Sequence, residues 1–248
     1  MLIEPTVEKL QAMKLPTMAQ HFVEQQQKPD HAGLAFEERF GLLVDAEYLA
    51  RENQRQQRHL KEARLKQNAA CLEEIDYQAR RGLDKPQMRR LATCLWVQEH
   101  HNVIITGATG TGKTYLACAL GQQACRRGYR VLYRRASRLF DELLLARADG
   151  TYMRLLAKLA RTQLLIVDDW ALTPPREQER HDLLEVLEDR TETGSTLMTS
   201  QLPTGRWHEQ IGDPTLADAI LDRILHKAYK IELKGASLRK ESQKPQED

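Results

Sequence analysis

The stretch NVIITGATGTGKTYLACALG, residues 102–121, decides the fold. Val103, Ile104 and Ile105 are β-branched, as a strand buried in a parallel sheet prefers. Gly107, Ala108, Thr109, Gly110, Thr111, Gly112, Lys113 and Thr114 then fit G-x-x-x-x-G-K-[ST] at each fixed position. The glycines let the backbone close around an anion. Successive N–H groups point inward, and the helix that follows presents its positive end. A glycine-rich turn with a chance lysine would share these letters, but it would not need a strand before it and a helix after it. The stretch therefore predicts a phosphate cradle: Lys113 reaches the outer phosphates, the Thr114 hydroxyl meets Mg²⁺, and the contact set extends to Tyr115.

A P-loop fold needs a second strand ending in acid, and LLIVDD at residues 164–169 supplies it. Four aliphatic residues lead into Asp168 and Asp169. Asp168 is expected to hold Mg²⁺, through water, and Asp169 to orient or deprotonate an attacking water. Taken alone, the segment would read as a strand running into a polar loop. Its place about 50 residues after the cradle favours the catalytic reading.

The 248 residues allow one large domain or a medium one with a small companion. An apolar fraction of 41% supports a packed core. The net charge of only +2 means that any nucleic-acid surface is local. No run of 18 apolar residues marks a membrane span, and the N-terminus lacks the plan of a signal peptide. The four cysteines form no C-x-x-C pair. They read as reduced thiols of a cytoplasmic protein, not as a zinc site or disulfide frame.

Residues 1–90 read as a helical domain. Thr6 is placed as a cap of a first helix, Pro16 opens a second, and a helical pattern runs from Phe36 to about Gln78, with breaks at Gly82 and Pro86. From residue 91 to 239 strands and helices alternate. The strand candidates are 102–106, 130–134, 163–168, 196–200 and 229–233. The expected class is α/β: a parallel sheet covered by helices on both faces. Residues 240–248 read as a disordered tail.

Charge is unevenly distributed. Residues 51–90 carry eleven Lys/Arg against six Asp/Glu. Arg51, Arg55 and Arg58 recur at helical spacing, either as an ordinary solvated face or as a surface for DNA phosphates. Arg126, Arg127, Arg130, Arg134, Arg135 and Arg138 fall within thirteen positions that contain no acid. A solvated surface mixes signs more evenly, so Arg126, Arg130, Arg134, Arg135 and Arg138 are read as a DNA groove or subunit contact.

The ordered set GATGTGKTYLACALG, LLIVDDW, STLMTSQLP, ADAILDRIL and IELKGASLRK, with the opening EPTVEKLQAMKLPTMAQ, resembles the IstB family. These are ATP-binding accessory proteins of insertion sequences, within the AAA+ class, and the resemblance covers nearly the whole chain. Bacterial replicative helicase loaders are similar in the ATPase part. The resemblance implies ATP and Mg²⁺ as cofactors and a polar sensor among Thr199, Ser200 and Gln201. It also implies an arginine finger at Arg223, given in trans to the next subunit of a homo-oligomer, and a sensor-like arginine at Arg239. It implies double-stranded DNA bound with little sequence preference, and a transposase partner that the assembled protein recruits and stimulates. The alternative it leaves is delivery of a replicative helicase to DNA.

Overall fold

The computed structural model describes residues 3–27, 33–77, 82–235 and 237–238. By its internal contacts the chain divides into two units, Met1–Arg58 and His59–Asp248. The expected tail at 240–248 lies outside the described residues.

The first unit contains α1 (Ile3–Ala12), α2 (Pro16–Gln27) and most of α3 (Phe36–Ala63), a helix that continues past the division. Pro16 does open α2, where its fixed φ and missing N–H cost nothing. Thr6 lies inside α1 instead of capping it, because the helix already begins at Ile3 with Glu4 in its first turn. Glu47 of α3 is nearly buried and accepts the Met18 N–H at 3.0 Å, capping α2. Burial pushes its carboxyl up, but the hydrogen bonds from Arg51 and Met18 outweigh that and hold it below the usual range.

The second unit is built on a five-stranded parallel sheet of order β2-β3-β4-β1-β5. The strands are β1 (Asn102–Gly107), β2 (Val131–Arg135), β3 (Leu164–Trp170), β4 (Ser195–Ser200) and β5 (Ala228–Leu233). The five strand candidates read from the sequence correspond to these. Neighbouring β1 residues enter different cores: Val103 and Ile105 face one cluster, Ile104 the other, as the two-residue period of a strand requires. The first core is closed by α4 (Lys85–Ala92), α5 (Leu95–Gln98) and α6 (Lys113–Arg126). The second is closed by α7 (Ala136–Ala148), α8 (Tyr152–Ala160), α9 (Glu177–Arg190), α10 (Trp207–Ile211) and α11 (Pro214–Leu225).

The sequence suggested a boundary near residue 90, but the contacts divide the chain after Arg58. Leu65, Ala70, Met88 and Leu91 belong to the same buried cluster as Val103 and Ile105. These apolar side chains have no other core to enter, so the segment after α3 folds with the sheet. The helix itself stops at Ala63, short of Gln78, where Arg64 turns to φ +52°. Pro86 sits in the first turn of α4, behind the Asp84 cap, whose carboxylate accepts the Gln87 N–H at 3.1 Å.

One polar residue fixes the N-terminal end of the sheet. Asn102 donates to the carbonyls of Arg223 and Ile224 at 3.0 and 3.3 Å and accepts the Thr196 N–H at 2.9 Å. It joins β1, β4 and the end of α11. The loop that follows β1 therefore lies at the opposite end of the sheet from Arg223. Five residue steps at about 3.3 Å put roughly 16 Å between the two ends.

Candidate functional site

The cradle forms where β1 passes into α6. Gly107, at φ +150°, pairs with Leu233 of β5. A Cβ there would stand 2.4 Å from the Leu233 carbonyl, so only glycine fits. Gly112 takes φ +96° directly before Lys113 starts α6. Lys113 is 7% exposed. Its Nζ donates to the carbonyls of Gly107 and Ala108, both at 2.8 Å, so the ammonium lies inside the loop.

Asp168 is completely buried at the end of β3. Three hydroxyls donate to it: Thr114 Oγ1 at 3.0 and 3.1 Å to the two oxygens, Tyr133 Oη at 2.5 Å and Thr199 Oγ1 at 2.5 Å. A buried carboxylate is costly without such partners. Burial, followed by the bond to Asp168, pushes the Tyr133 phenol far above the usual tyrosine range, so it stays a donor. Tyr133 lies on β2, and no sequence motif marked it.

Asp169 sits at φ +59°, an unusual conformation for aspartate. Its N–H donates to Thr199 Oγ1 at 3.0 Å. Its carboxylate accepts two hydrogen bonds from Arg135, at 2.9 and 3.2 Å. Thr199 thus ties the two acids together. Ser200 faces away, donating to the Trp170 carbonyl at 2.9 Å. Gln201 faces the cradle, its Oε1 accepting from Thr109 Oγ1 at 2.8 Å. β4 lies between β1 and β3, so its end necessarily reaches between the loop and the acids.

A cleft of about 400 Å³ collects Gly110, Lys113, Thr114, Asp169, Gln201 and Lys66 around one space. Beside it lies a mainly apolar slot of about 290 Å³, walled by Ile75, Leu83, Leu116, Leu233 and Leu238. Tyr115 anchors its outer wall: Oη donates to the Cys71 carbonyl and to Glu74, each at 3.2 Å. Burial first, and then the neighbouring Glu74, raises the Tyr115 pKa. The C-terminal segment crosses the loop, with the Leu238 N–H donating to the Gly110 carbonyl at 3.0 Å. Arg239 lies outside the described residues.

Mg²⁺ ligation can be tested on the donor set. The Thr114 hydroxyl donates to both Asp168 oxygens at 3.0–3.1 Å, which leaves its lone pairs for the ion and puts the Asp168 carboxylate where water of the ion's shell could donate to it. Among the described residues no cluster of three or more His, Cys, Asp or Glu could hold a metal. A hard cation that keeps its waters and takes phosphate oxygens needs no such cluster. The residues fit the ion.

The proposed basic groove disperses. Arg126 pairs with Glu73 at 2.8 Å. Arg134 is nearly buried and pairs with Glu142 at 2.9 Å, while Arg135 turns to Asp169. Arg138 is exposed on α7, and Arg130 joins a different cluster, at the N-terminal end of β2. The run passes from a helix end through a strand into another helix, so its side chains leave in several directions. In the first unit, Arg51 is held by Glu47 at 2.7 Å and also caps the Lys14 carbonyl. Arg55 lies 3.9 Å from Glu52, and Arg58 lines the same shallow basin as Arg51 and Arg55. Arg223 donates to Ala219 O at 2.9 Å and to Glu188 at 2.7 Å, with Asn102 stapled to its backbone at the far end of β1.

A sequence profile described as "IstB-like ATP binding protein" matches residues 8–246. The chain belongs to this family. An insertion sequence ATP-binding protein of Sinorhizobium fredii, y4pL, is 48% identical, with 97% of this chain and 98% of that protein aligned. The ATP-binding protein of insertion sequence IS21 from Pseudomonas aeruginosa is 33% identical over 96% of this chain and 88% of its own length. Among solved structures, DnaI superposes with a TM-score of 0.56 at 23% identity, covering 67% of this chain and 92% of that one. AMPPCP-bound DnaA from Aquifex aeolicus gives 0.56 at 19%, covering 69% and 52%. These superpositions share the fold of the sheet-bearing unit. Family and fold make the IstB-like chain an AAA+ ATPase. Among the described residues no helix is long and apolar enough to cross a membrane.

Proposed function

We propose that this IstB-like protein binds ATP between adjoining copies, assembles on double-stranded DNA, and in that state engages and stimulates the transposase of its insertion sequence. The observation that carries the reading is the separation of the phosphate cradle from Arg223 at opposite ends of β1. Arg223 is out of reach of its own chain's nucleotide, so a finger role requires a neighbour's site.

In this reading the apolar slot takes the adenine, and the cradle holds the phosphates on backbone N–H groups. Lys113 exchanges its two carbonyl partners for phosphate oxygens. Thr114 and Asp168 hold Mg²⁺, which when bound neutralises charge on the phosphates. Asp169 accepts a proton from the attacking water. Gln201, of the three candidate sensors, reports on the outer phosphate from its position against Thr109. Arg223 leaves Glu188 and offsets charge on the phosphoryl group of the adjoining subunit. Arg135 holds Asp169 and must release it for catalysis.

Several copies linked by nucleotide sum their cationic surfaces along the duplex and can bend it, an elastic cost repaid by contacts. The relatives from Sinorhizobium fredii and Pseudomonas aeruginosa are insertion sequence proteins, which favours a transposase over a replicative helicase as partner. Sedimentation tests the reading. With a non-hydrolysable ATP analogue and a long duplex, the protein is expected to sediment as multi-subunit assemblies. Solitary protomers under those conditions would overturn it.

A further inference from the structure

At the N-terminal end of β2, the edge strand of the sheet, lies an open recess of about 610 Å³. Its rim carries Arg64, Arg130, Arg154, Lys158 and Arg161, against the single acid Glu62. Arg135 at the other end of β2 is level with Asp168. The recess is therefore set off from the nucleotide by the length of the strand, roughly 13 Å.

Among the described residues none of these five cations stands within 4 Å of a carboxylate oxygen; Arg154 acts at longer range on exposed Asp149, whose carboxyl the Thr151 hydrogen bonds and then Arg154 hold below the usual range. Five other arginines of the same unit, Arg126, Arg134, Arg135, Arg147 and Arg223, each hold a carboxylate within 3 Å. Five like charges around one hollow repel one another, and an incoming anion relieves that.

The rim is firmly held. Arg154, Lys158 and Arg161 recur at helical spacing along α8 and its end, so they share a face, while Leu156 and Leu159 on the opposite face are buried in the core. The Arg130 N–H donates to Gln163 at 2.9 Å, and its carbonyl accepts the Leu164 N–H at 3.1 Å. Thr162, in the recess wall, accepts the guanidinium of Arg190 at 2.7 Å. Arg190 is 1% exposed and faces the Thr162, Leu159 and Ser195 carbonyls and a threonine hydroxyl. It fixes the backbone of the recess wall at Thr162.

We propose that this recess grips the sugar-phosphate backbone of duplex DNA. The proposal rests on the DNA reading above; of the run 126–138 it keeps only Arg130, and it moves the interface from Arg126, Arg134, Arg135 and Arg138 to α8. Arg154 to Arg161 spans about 10 Å along a helix, which matches roughly three phosphate steps of one DNA strand along the duplex axis. The lining contains no aromatic side chain, so no platform exists for stacking unpaired bases. Basic side chains without base-edge partners position a duplex without reading its sequence.

The test uses the full chain with a non-hydrolysable ATP analogue and a labelled duplex of random sequence, across a salt series. The double variant Arg154→Glu/Lys158→Glu is expected to lose tenfold or more in duplex affinity. The slope of log affinity against log salt should fall by about 2, with nucleotide affinity unchanged. Arg154→Lys/Lys158→Arg should bind like the parent. Unchanged duplex binding and slope in the charge-reversed protein would overturn the proposal. So would unchanged duplex binding with lost self-association, which would make the recess a dock for an acidic surface of a second copy. A parent protein that binds no duplex even at low salt would instead sink the DNA reading itself.

Discussion

The two ends of the parallel sheet are built on opposite plans. At the C-terminal ends of the strands, charged groups are interlocked: Asp168 takes three hydroxyls, Asp169 is held by Arg135, and Lys113 is folded into its own loop. At the N-terminal ends, Arg64, Arg130, Arg154, Lys158 and Arg161 gather around one recess, with no carboxylate oxygen within 4 Å of them among the described residues, and Arg223 rests on an exposed glutamate. One end turns its charged groups inward, onto partners of its own chain. The other offers charge outward, to something outside the chain. The same strands join both ends, so on the proposed reading nucleotide and DNA would be separated by the length of a strand and still share one rigid element.

The largest expected effect comes from removing the group that this plan sends elsewhere. Arg223→Ala should reduce ATP turnover by about 10³-fold, with nucleotide affinity by equilibrium titration nearly unchanged. A lost affinity would place Arg223 in its own chain's site and break the comparison. Next, Asp169→Asn should lower turnover by about 10²-fold or more and leave ATP-bound assemblies persisting on DNA, read by light scattering.

The arginines show where the sequence stopped being informative. The cradle, the acid strand and the five strands were legible because each carries its signature in adjacent residues. The destinations of Arg126, Arg134 and Arg135 were not, because their partners Glu73, Glu142 and Asp169 are chosen by tertiary structure. Strand alternation also sends Arg134 and Arg135 to different faces. Tyr133 was invisible for the same reason: only the register of β2 against β3 brings it to Asp168. Three adjacent polar residues, Thr199, Ser200 and Gln201, look alike in sequence; only the fold turns Ser200 toward Trp170 and Gln201 toward Thr109. Thr6 was misplaced by local pattern because α1 already begins at Ile3, and the limit near residue 90 differs from the division after Arg58 because Leu65, Ala70, Met88 and Leu91 pack into the sheet's core.

Smaller effects would sharpen the contrast. Arg135→Ala removes the restraint on Asp169 and should raise basal turnover several-fold while weakening its response to DNA. No change would mean that the pair does not restrain the base. Tyr133→Phe takes one donor from a buried carboxylate and should cost about 1–3 kcal/mol, read by denaturant titration, with a modest fall in turnover. Smallest are the thiols. Burial pushes Cys94 up to about 11 and Cys125 up to about 12. At pH 8 only about one Cys94 in a thousand is thiolate. Alkylation of the native protein should mark the half-exposed Cys71 first, with labelling at Cys94 rising about tenfold per pH unit below 11.

The shared nucleotide site is tested most directly by mixing two inactive proteins. Asp169→Asn keeps a finger to lend, and Arg223→Ala keeps an intact cradle and base. Combined in equal amounts with ATP and DNA, they should regain roughly a quarter of parental turnover, since random neighbours restore that share of interfaces. A mixture no more active than its components would contradict a site completed between copies.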